Sequence, residues 1–263
     1  MMTPKVVLFD ADSLIYQAMY RVISISEIRE MMRNGESRFS IELEILQRGY
    51  DRFEKIAFDI LNEIDGEYQT SVVKYFFTKC KRNFRKDVDP TYKANRKSNR
   101  WVNELRSYLL DYLDGSFASD EYEADDLIYF NTQLMNQYDY IICSIDKDLK
   151  QIPGIHYDYY QLKVKDENGE YMVDEFGQFV KVRKGFRYVT ESEAEMMQFT
   201  MMLTGDVSDN VKGVHGIGQK KAEKLLQGKN TFGKVRAVCE AYMNESDNWK
   251  ERIRNNKKLM IFH

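Results

Sequence analysis

The chain has 263 residues, 43 % hydrophobic and 31 % charged, enough to bury a sizeable core and too balanced for a disordered tail. No apolar run approaches the roughly 20 residues that span a bilayer. The N-terminus lacks a basic n-region and cleavage site, and Cys80, Cys143, Cys239 and three isolated histidines (His156, His215, His263) are too scattered for a disulfide framework or a zinc site. A soluble protein of a reducing cytoplasm, with no membrane partner, is expected.

Residues 6–9 (Val-Val-Leu-Phe) form a short apolar run ending in Asp10-Ala11-Asp12. Residues 72–77 and 140–145 form two further runs, all three reading as buried parallel strands. Helical spacing separates them: Leu46, Phe53, Ile56, Ile60 and Ile64 mark one helix, and Trp101, Leu105, Tyr108, Leu109, Tyr112 and Leu113 a second. A third is predicted after Ser119 as N-cap, through Glu123 to Gln137. Strands alternating with helices predict an α/β fold with a mainly parallel sheet. From Tyr157 to Val189 the texture changes to alternating Tyr, Val and Lys, interrupted by Asn168-Gly169 and Phe176-Gly177, which predicts inserted β-hairpins. Two helices follow, over 195–203 and 219–227, with Gly228 as the stop signal.

The formal net charge of −3 conceals a split. Nine basic residues between Lys79 and Arg100 (Lys79, Lys81, Arg82, Arg85, Lys86, Lys93, Arg96, Lys97 and Arg100) face only Asp87 and Asp89, so this stretch carries +7 and the remainder −10. Such a stripe suits a polyanion, although a solvated basic loop has the same composition.

Acids gather at four positions. Asp10 follows the first strand; Asp146 and Asp148 follow the run at 140–145; Glu123, Asp125 and Asp126 open a helix; Asp206 and Asp209 lie in Thr204-Gly-Asp-Val-Ser-Asp-Asn210. Acids at a helix start also complement the macrodipole, and acids after strands also cap helices. Ligands of open parallel sheets collect at the carboxyl ends of the strands. Eight acids brought there would repel unless a cation neutralised them, and hard oxygen donors favour Mg²⁺ or Mn²⁺. Two such ions could activate water and stabilise a leaving oxygen in phosphodiester cleavage. The segment Gly213-Val-His-Gly216-Ile-Gly218-Gln-Lys220-Lys221 reads as a tight turn opening a helix, where backbone N–H groups and two lysines would take one DNA phosphate without reading sequence; a plain inter-helix turn fits it too.

In combination these stretches resemble the flap endonuclease and 5′-nuclease family, which includes phage-type 5′→3′ exonucleases and the N-terminal nuclease domains of bacterial DNA polymerase I. The matching segments are residues 7–16, 84–86, 92–96, 122–127, 144–149 and 203–210 with the glycine hairpin, in family order. The resemblance implies a PIN-like core over residues 1–156 with a basic arch at about 79–116, a hairpin insertion at 157–189, and a helical helix–hairpin–helix subdomain at 190–263. It implies a metal site from Asp10, Glu123, Asp125, Asp126, Asp146, Asp148, Asp206 and Asp209, with Asp10 and Asp146 central to catalysis. Tyr92 matches an aromatic that stacks on a base near the scissile phosphate, and Lys93 and Arg96 match residues contacting that phosphate. Arg82, Arg85, Lys86, Lys97, Gly216, Gly218, Lys220 and Lys221 are expected along the DNA, and the carbonyls of Val214 and Ile217 at a monovalent cation, K⁺.

The chain departs from the family in three places. Thr78 stands where an aspartate is usual, so one metal site is expected to be weakened, bridged by water, or completed by Asp12. Only about 25 residues separate Arg96 from Tyr122, short for a closed helical gateway. The hairpins at 157–189 are not a standard family part; their Lys163, Lys165, Lys181, Arg183, Lys184 and Arg187 suit a DNA platform, a replication-partner or single-strand-binding-protein dock, or plain solvated decoration. The implied function is a monomeric 5′-nuclease, of phage type and active in the host cytoplasm, leaving a 5′-phosphate and a 3′-hydroxyl. Its substrates would be DNA with a free 5′ end, a 5′ flap or an RNA–DNA primer, in replication or repair. The competing readings are a non-catalytic DNA-binding module degenerate at Thr78 and an RNA-cutting PIN ribonuclease, which would usually lack the glycine hairpin.

Overall fold

A computed structural model describes residues 5–262; the first four residues of the expected core and His263 lie outside them. Strand β1 (Lys5–Asp10) leads into helix α1 (Ala11–Met19), followed by α2 (Ile25–Arg33) and the 30-residue α3 (Arg38–Glu67). Next come β2 (Thr70–Thr78), the short α4 (Phe84–Val88), α5 (Arg100–Tyr112), β3 (Ser116–Ser119), α6 (Ala124–Thr132) and β4 (Tyr140–Cys143). A 3₁₀ turn at Asp148–Gln151 precedes β5 (Gly154–Lys163) and β6 (Lys181–Val189). The C-terminal part holds α7 (Glu191–Thr204), a two-residue pair β7 (Gly205–Asp206) and β8 (Val211–Lys212), then α8 (Gln219–Leu226), α9 (Thr231–Met243) and α10 (Trp249–Met260).

The six-stranded sheet runs β3-β2-β1-β4-β5-β6, parallel except at the β6 edge. β1 has helices over both faces. Val7 and Phe9 join the core under α1, α3 and α5, while Leu8 points to the opposite layer with Ile128 of α6 and Ile142 of β4. Burial on both faces is why residues 6–9 are uniformly apolar instead of alternating. A separate core packs α7 to α10 together and takes in Tyr92.

Three elements differ from expectation. Ser119 ends β3 and is not a helix cap; Glu123 is the N-cap of α6, which stops at Thr132 rather than Gln137. Here the capping box closes between Glu123 and Asp126, three residues apart, while the Ser119 hydroxyl accepts the Glu121 and Tyr122 N–H groups in the turn before the helix. The predicted strand at 140–145 ends at Cys143. The expected insertion does not begin after the last core strand: β5 crosses the 156/157 boundary, pairs in parallel with β4, and buries Tyr157 and Tyr159 in the core. Beyond β5 the chain does make two small turns, at Asp166–Gly169 and Asp174–Gly177, with Gly169 and Gly177 at positive φ.

The segment between α4 and α5 carries no long helix. Residues 91–96 are instead stitched to the β7–β8 loop: Lys93 N–H donates to the Asp209 carbonyl, Asn210 Nδ2 to the Thr91 carbonyl and Asn95 Nδ2 to the Val207 carbonyl. Lys93 adopts φ +55° to make this turn.

Candidate active site

β1 ends at Asp10, β2 at Thr78 and β4 just before Asp146, so the sheet delivers all three to one carboxyl edge. There a cavity of about 350 Å³ is lined by seven carboxylates (Asp10, Asp12, Glu123, Asp125, Asp146, Asp148 and Asp209) and four cations (Lys93, Arg96, Arg106 and Lys147), with Thr78 and Tyr16 on its wall. Asp126 and Asp206 are not on that wall.

The partners of each acid divide the cluster. Asp126 receives Arg85 Nη1 and Nη2 at 2.5 and 2.7 Å and caps the Glu123 N–H. Asp206 accepts Lys147 Nζ at 3.0 Å and both the N–H and hydroxyl of Ser208. Burial pushes the Asp206 carboxyl up, but those bonds outweigh it and hold the group at about 2. Glu123 takes Lys93 Nζ on both oxygens at 2.7 and 2.8 Å, together with Asn83 and the Tyr92 hydroxyl. Its burial opposes ionisation, yet the Lys93 and Arg85 charges keep it below the usual range. Asp209 pairs with Arg96, Asp148 with Lys147, and Asp12 with Arg106.

Asp10, Asp125 and Asp146 remain, and among the described residues none of them has a cationic partner. Asp10 accepts the hydroxyls of Ser13 (2.9 Å) and Ser144 (2.7 Å), but desolvation and the charges of Asp12 and Asp146 push it to about 7. Desolvation, with Glu123 and Asp126 nearby, raises Asp125 well above the carboxylate range. Desolvation and Asp146 raise Asp148 to about 6 despite Lys147. As the side chains lie, no three acids, histidines or cysteines of the described residues are gathered tightly enough to hold a metal ion. The chemistry of the donors nevertheless fits a hard divalent cation: oxygen-only, charged, and left without internal counter-ions in a shared cavity.

Several expected roles are corrected. Arg85 is 2 % exposed, with Nε on the Leu259 carbonyl, so it is a buried structural ion-pair partner and not a DNA contact. Tyr92 is also 2 % exposed; its ring lies near the Lys93 and Arg85 cations and its hydroxyl donates to Glu123 and Asp209, so the buried ring is not open to stack on a base. Asp126 and Asp206 are saturated by internal donors and outside the cavity, so neither is free as a ligand. Glu123 is likewise occupied by Lys93. Asp12 gives one oxygen to Arg106 Nε and the other to the Thr78 N–H, and so does not replace the absent acid as a free ligand.

Arg82, Lys86 and Lys97 are exposed, as are Gly216, Gly218, Lys220 and Lys221. Gly216 turns at φ +70° and Gly218 is the N-cap of α8. The Val214 carbonyl accepts the Ile217 N–H at 3.1 Å. On the hairpins, Arg183 is bound to Glu63, Arg187 to Glu193 and Lys184 to Asp158, while Lys163 and Lys165 lie over the Tyr171 ring. Sequence reasoning missed Arg106. It shares a helical face with Val102, Leu105 and Leu109, all buried, and a charge inside an apolar stripe was the available signal.

Comparison with known proteins agrees with this architecture. The 5′-3′ exonuclease N-terminal resolvase-like domain matches residues 5–178, and the 5′-3′ exonuclease C-terminal SAM fold matches residues 193–263. Flap endonuclease Xni of Colwellia psychrerythraea is 28 % identical over 91 % of this chain and 78 % of its own length. DNA polymerase I of Bacillus caldotenax is 25 % identical over 99 % of this chain, which spans only 27 % of that protein. A T5 5′-exonuclease variant shares the fold with a TM-score of 0.58 at 13 % identity, covering 97 % of this chain and 87 % of the other. Membership of an exonuclease family weighs against the reading as a degenerate, non-catalytic module. The chain belongs to the 5′-3′ exonuclease family.

Proposed function

We propose that the chain is a structure-specific 5′-nuclease that hydrolyses DNA at or near a 5′ end, with Mg²⁺ or Mn²⁺ as its cofactor. The observation that carries this reading is the set Asp10, Asp125 and Asp146: three carboxylates without a cation, lining one cavity at the sheet's carboxyl edge. Bound there, divalent ions would supply an activated water and charge neutralisation at the leaving oxygen, giving a 5′-phosphate and a 3′-hydroxyl.

The chain's own groups do the rest. Ser13 and Ser144 orient the Asp10 carboxylate. Asp148 N–H donates to Asp146 Oδ1 and fixes that side chain against the turn. Lys93 and Arg96 lie within reach of the cavity and would stabilise charge on the reacting phosphate once exchanged from Glu123 and Asp209. The exposed Arg82, Lys86 and Lys97 suit backbone phosphates, and Gly216, Gly218, Lys220 and Lys221 suit a duplex phosphate at the start of α8. The carbonyls of Val214 and Ile217 at the same hairpin would hold a monovalent cation, K⁺. The substrate range extends to RNA–DNA primers in replication or repair, with the chain acting as a monomer.

The test is a labelled 5′-flap duplex incubated with the chain and Mg²⁺ or Mn²⁺. Cleavage is expected, with Asp146→Asn abolishing it while duplex binding persists. Undiminished turnover by Asp146→Asn, or no cleavage by the unaltered chain with either metal, rejects the assignment.

A further inference from the structure

Arg106 is the one cation of the cavity that comes from α5, and its surroundings differ from those of the other three. Its Nε donates to Asp12 Oδ1 at 2.8 Å and its Nη1 to Asn103 Oδ1 at 2.8 Å. A guanidinium has five N–H donors in a fixed plane; among the described residues Nη2 has no acceptor. The side chain is only 13 % exposed, yet it lines the same cavity as Asp10, Asp125 and Asp146. A guanidinium held on one edge, with donors left over on the other, presents a planar fork to whatever anion enters.

The support behind it is continuous. Asp12 spends its second oxygen on the Thr78 N–H at 2.9 Å, and the Thr78 hydroxyl accepts the Ala124 N–H, in the first turn of α6, at 3.0 Å. Arg106 is thereby tied through Asp12 to the ends of β1 and β2 and to the helix that carries Asp125. Lys93 and Arg96 sit on a segment without long helices; Arg106, though it too is bound to a cavity acid, Asp12, sits in the middle of a 13-residue helix packed on α1 and α3. Its position is set in advance, which lowers the ordering cost of a contact.

We infer that Arg106 binds a phosphate of the substrate strand inside the catalytic cavity, and that Asp12 and Thr78 are positioning residues for it, not metal ligands. The inference rests on the nuclease reading for the identity of the substrate. It assigns the Thr78 side of the cavity to strand binding and the Asp10, Asp125 and Asp146 side to metal.

The experiment uses the full chain and three substitutions: Arg106→Ala, Arg106→Lys and Asp12→Asn, with Arg106→Gln as a length-preserving alternative should the alanine variant fail to fold. Binding of a 5′-flap DNA is measured with the metal chelated, across a salt series; Mn²⁺ binding is measured separately by calorimetry without DNA. Arg106→Ala or →Gln is expected to weaken DNA binding about tenfold and to reduce the slope of log affinity against log salt by about one. Arg106→Lys should recover most of that slope, because a point charge remains, but not all of the affinity. Asp12→Asn should weaken DNA binding in the same direction and leave the Mn²⁺ affinity unchanged. An unchanged affinity and salt slope for Arg106→Ala or →Gln overturns the role of Arg106. A clear loss of Mn²⁺ affinity in Asp12→Asn overturns the division of the cavity. Failure of the nuclease reading shows separately, as an unaltered chain that does not cut DNA.

Discussion

Arg85 and Asp126 form a two-pronged ion pair at 2.5 and 2.7 Å, 41 residues apart in sequence and both almost wholly buried. The pair joins α4 to the first turn of α6, and the Arg85 Nε bond to the Leu259 carbonyl adds the end of α10. Removing one partner leaves an uncompensated buried charge, which typically costs about 3–5 kcal/mol. Arg85→Ala is therefore expected to lower unfolding stability by that order in a urea titration. Unchanged stability with a loss of DNA affinity would return Arg85 to the DNA-contacting set.

The Asp10 carboxyl stands at about 7 against its usual 3.8, chiefly through desolvation. A raised carboxyl means that the folded state holds its proton longer than the unfolded chain. Its contribution to stability is complete below pH 3.8 and is lost as pH rises through 7. In metal-free protein, Asp10→Asn should flatten the fall in stability across that window and raise the melting temperature at alkaline pH. The ceiling on the gain is about 4 kcal/mol, from roughly three pH units at 1.36 each. A steeper fall than in the unaltered protein would contradict the assignment.

Metal binding must displace the same protons. With Asp10 near 7 and Asp148 near 6, Mn²⁺ affinity measured by calorimetry should climb as pH rises through these values and level off above about 7.5. Repeating the titration in buffers of different ionisation enthalpy should show protons released at the lower pH. An affinity that does not change with pH would mean that Asp10 is not a ligand.

Gly205 and Gly213 bring two backbones into contact. A Cβ on Gly205, at φ +68°, would sit 2.2 Å from the Gly213 nitrogen, and one on Gly213 would sit 2.3 Å from the Thr204 carbonyl carbon. Neither neighbour is a flexible side chain that can yield. Gly205→Ala should cost upwards of about 2 kcal/mol and displace the β7–β8 loop that holds Asp206 and Asp209. Denaturation midpoints and cleavage rate would report the two effects together; a variant of normal stability would show that the strands can separate at little cost.

The parallel strands were legible because double-sided burial writes an uninterrupted apolar run, and most of the acids were legible because they follow such a run or open a helix, Asp206 and Asp209 being the exceptions. What stayed hidden was which acids would be neutralised. Lys93 meets Glu123 and Arg85 meets Asp126 across 30 and 41 residues, distances at which spacing along the chain carries no information. Tyr92 misled for a related reason: an aromatic beside lysines reads as a stacking platform, and only the packed α7–α10 core shows that its ring is enclosed. β3 went unseen because its four residues alternate with serines at the sheet edge. Helix α2 has Ile25, Ile28, Met31 and Met32 at helical spacing, but it is only nine residues long and none of them is fully buried; Ile28 and Met31 merely brush the core.

The seam between residues 91–96 and the β7–β8 loop has a mechanical consequence. With Lys93, Asn95 and Asn210 bonded across that gap, the two segments share one set of hydrogen bonds, so a shift of Lys93 toward an incoming phosphate also pulls on the loop that carries Asp209.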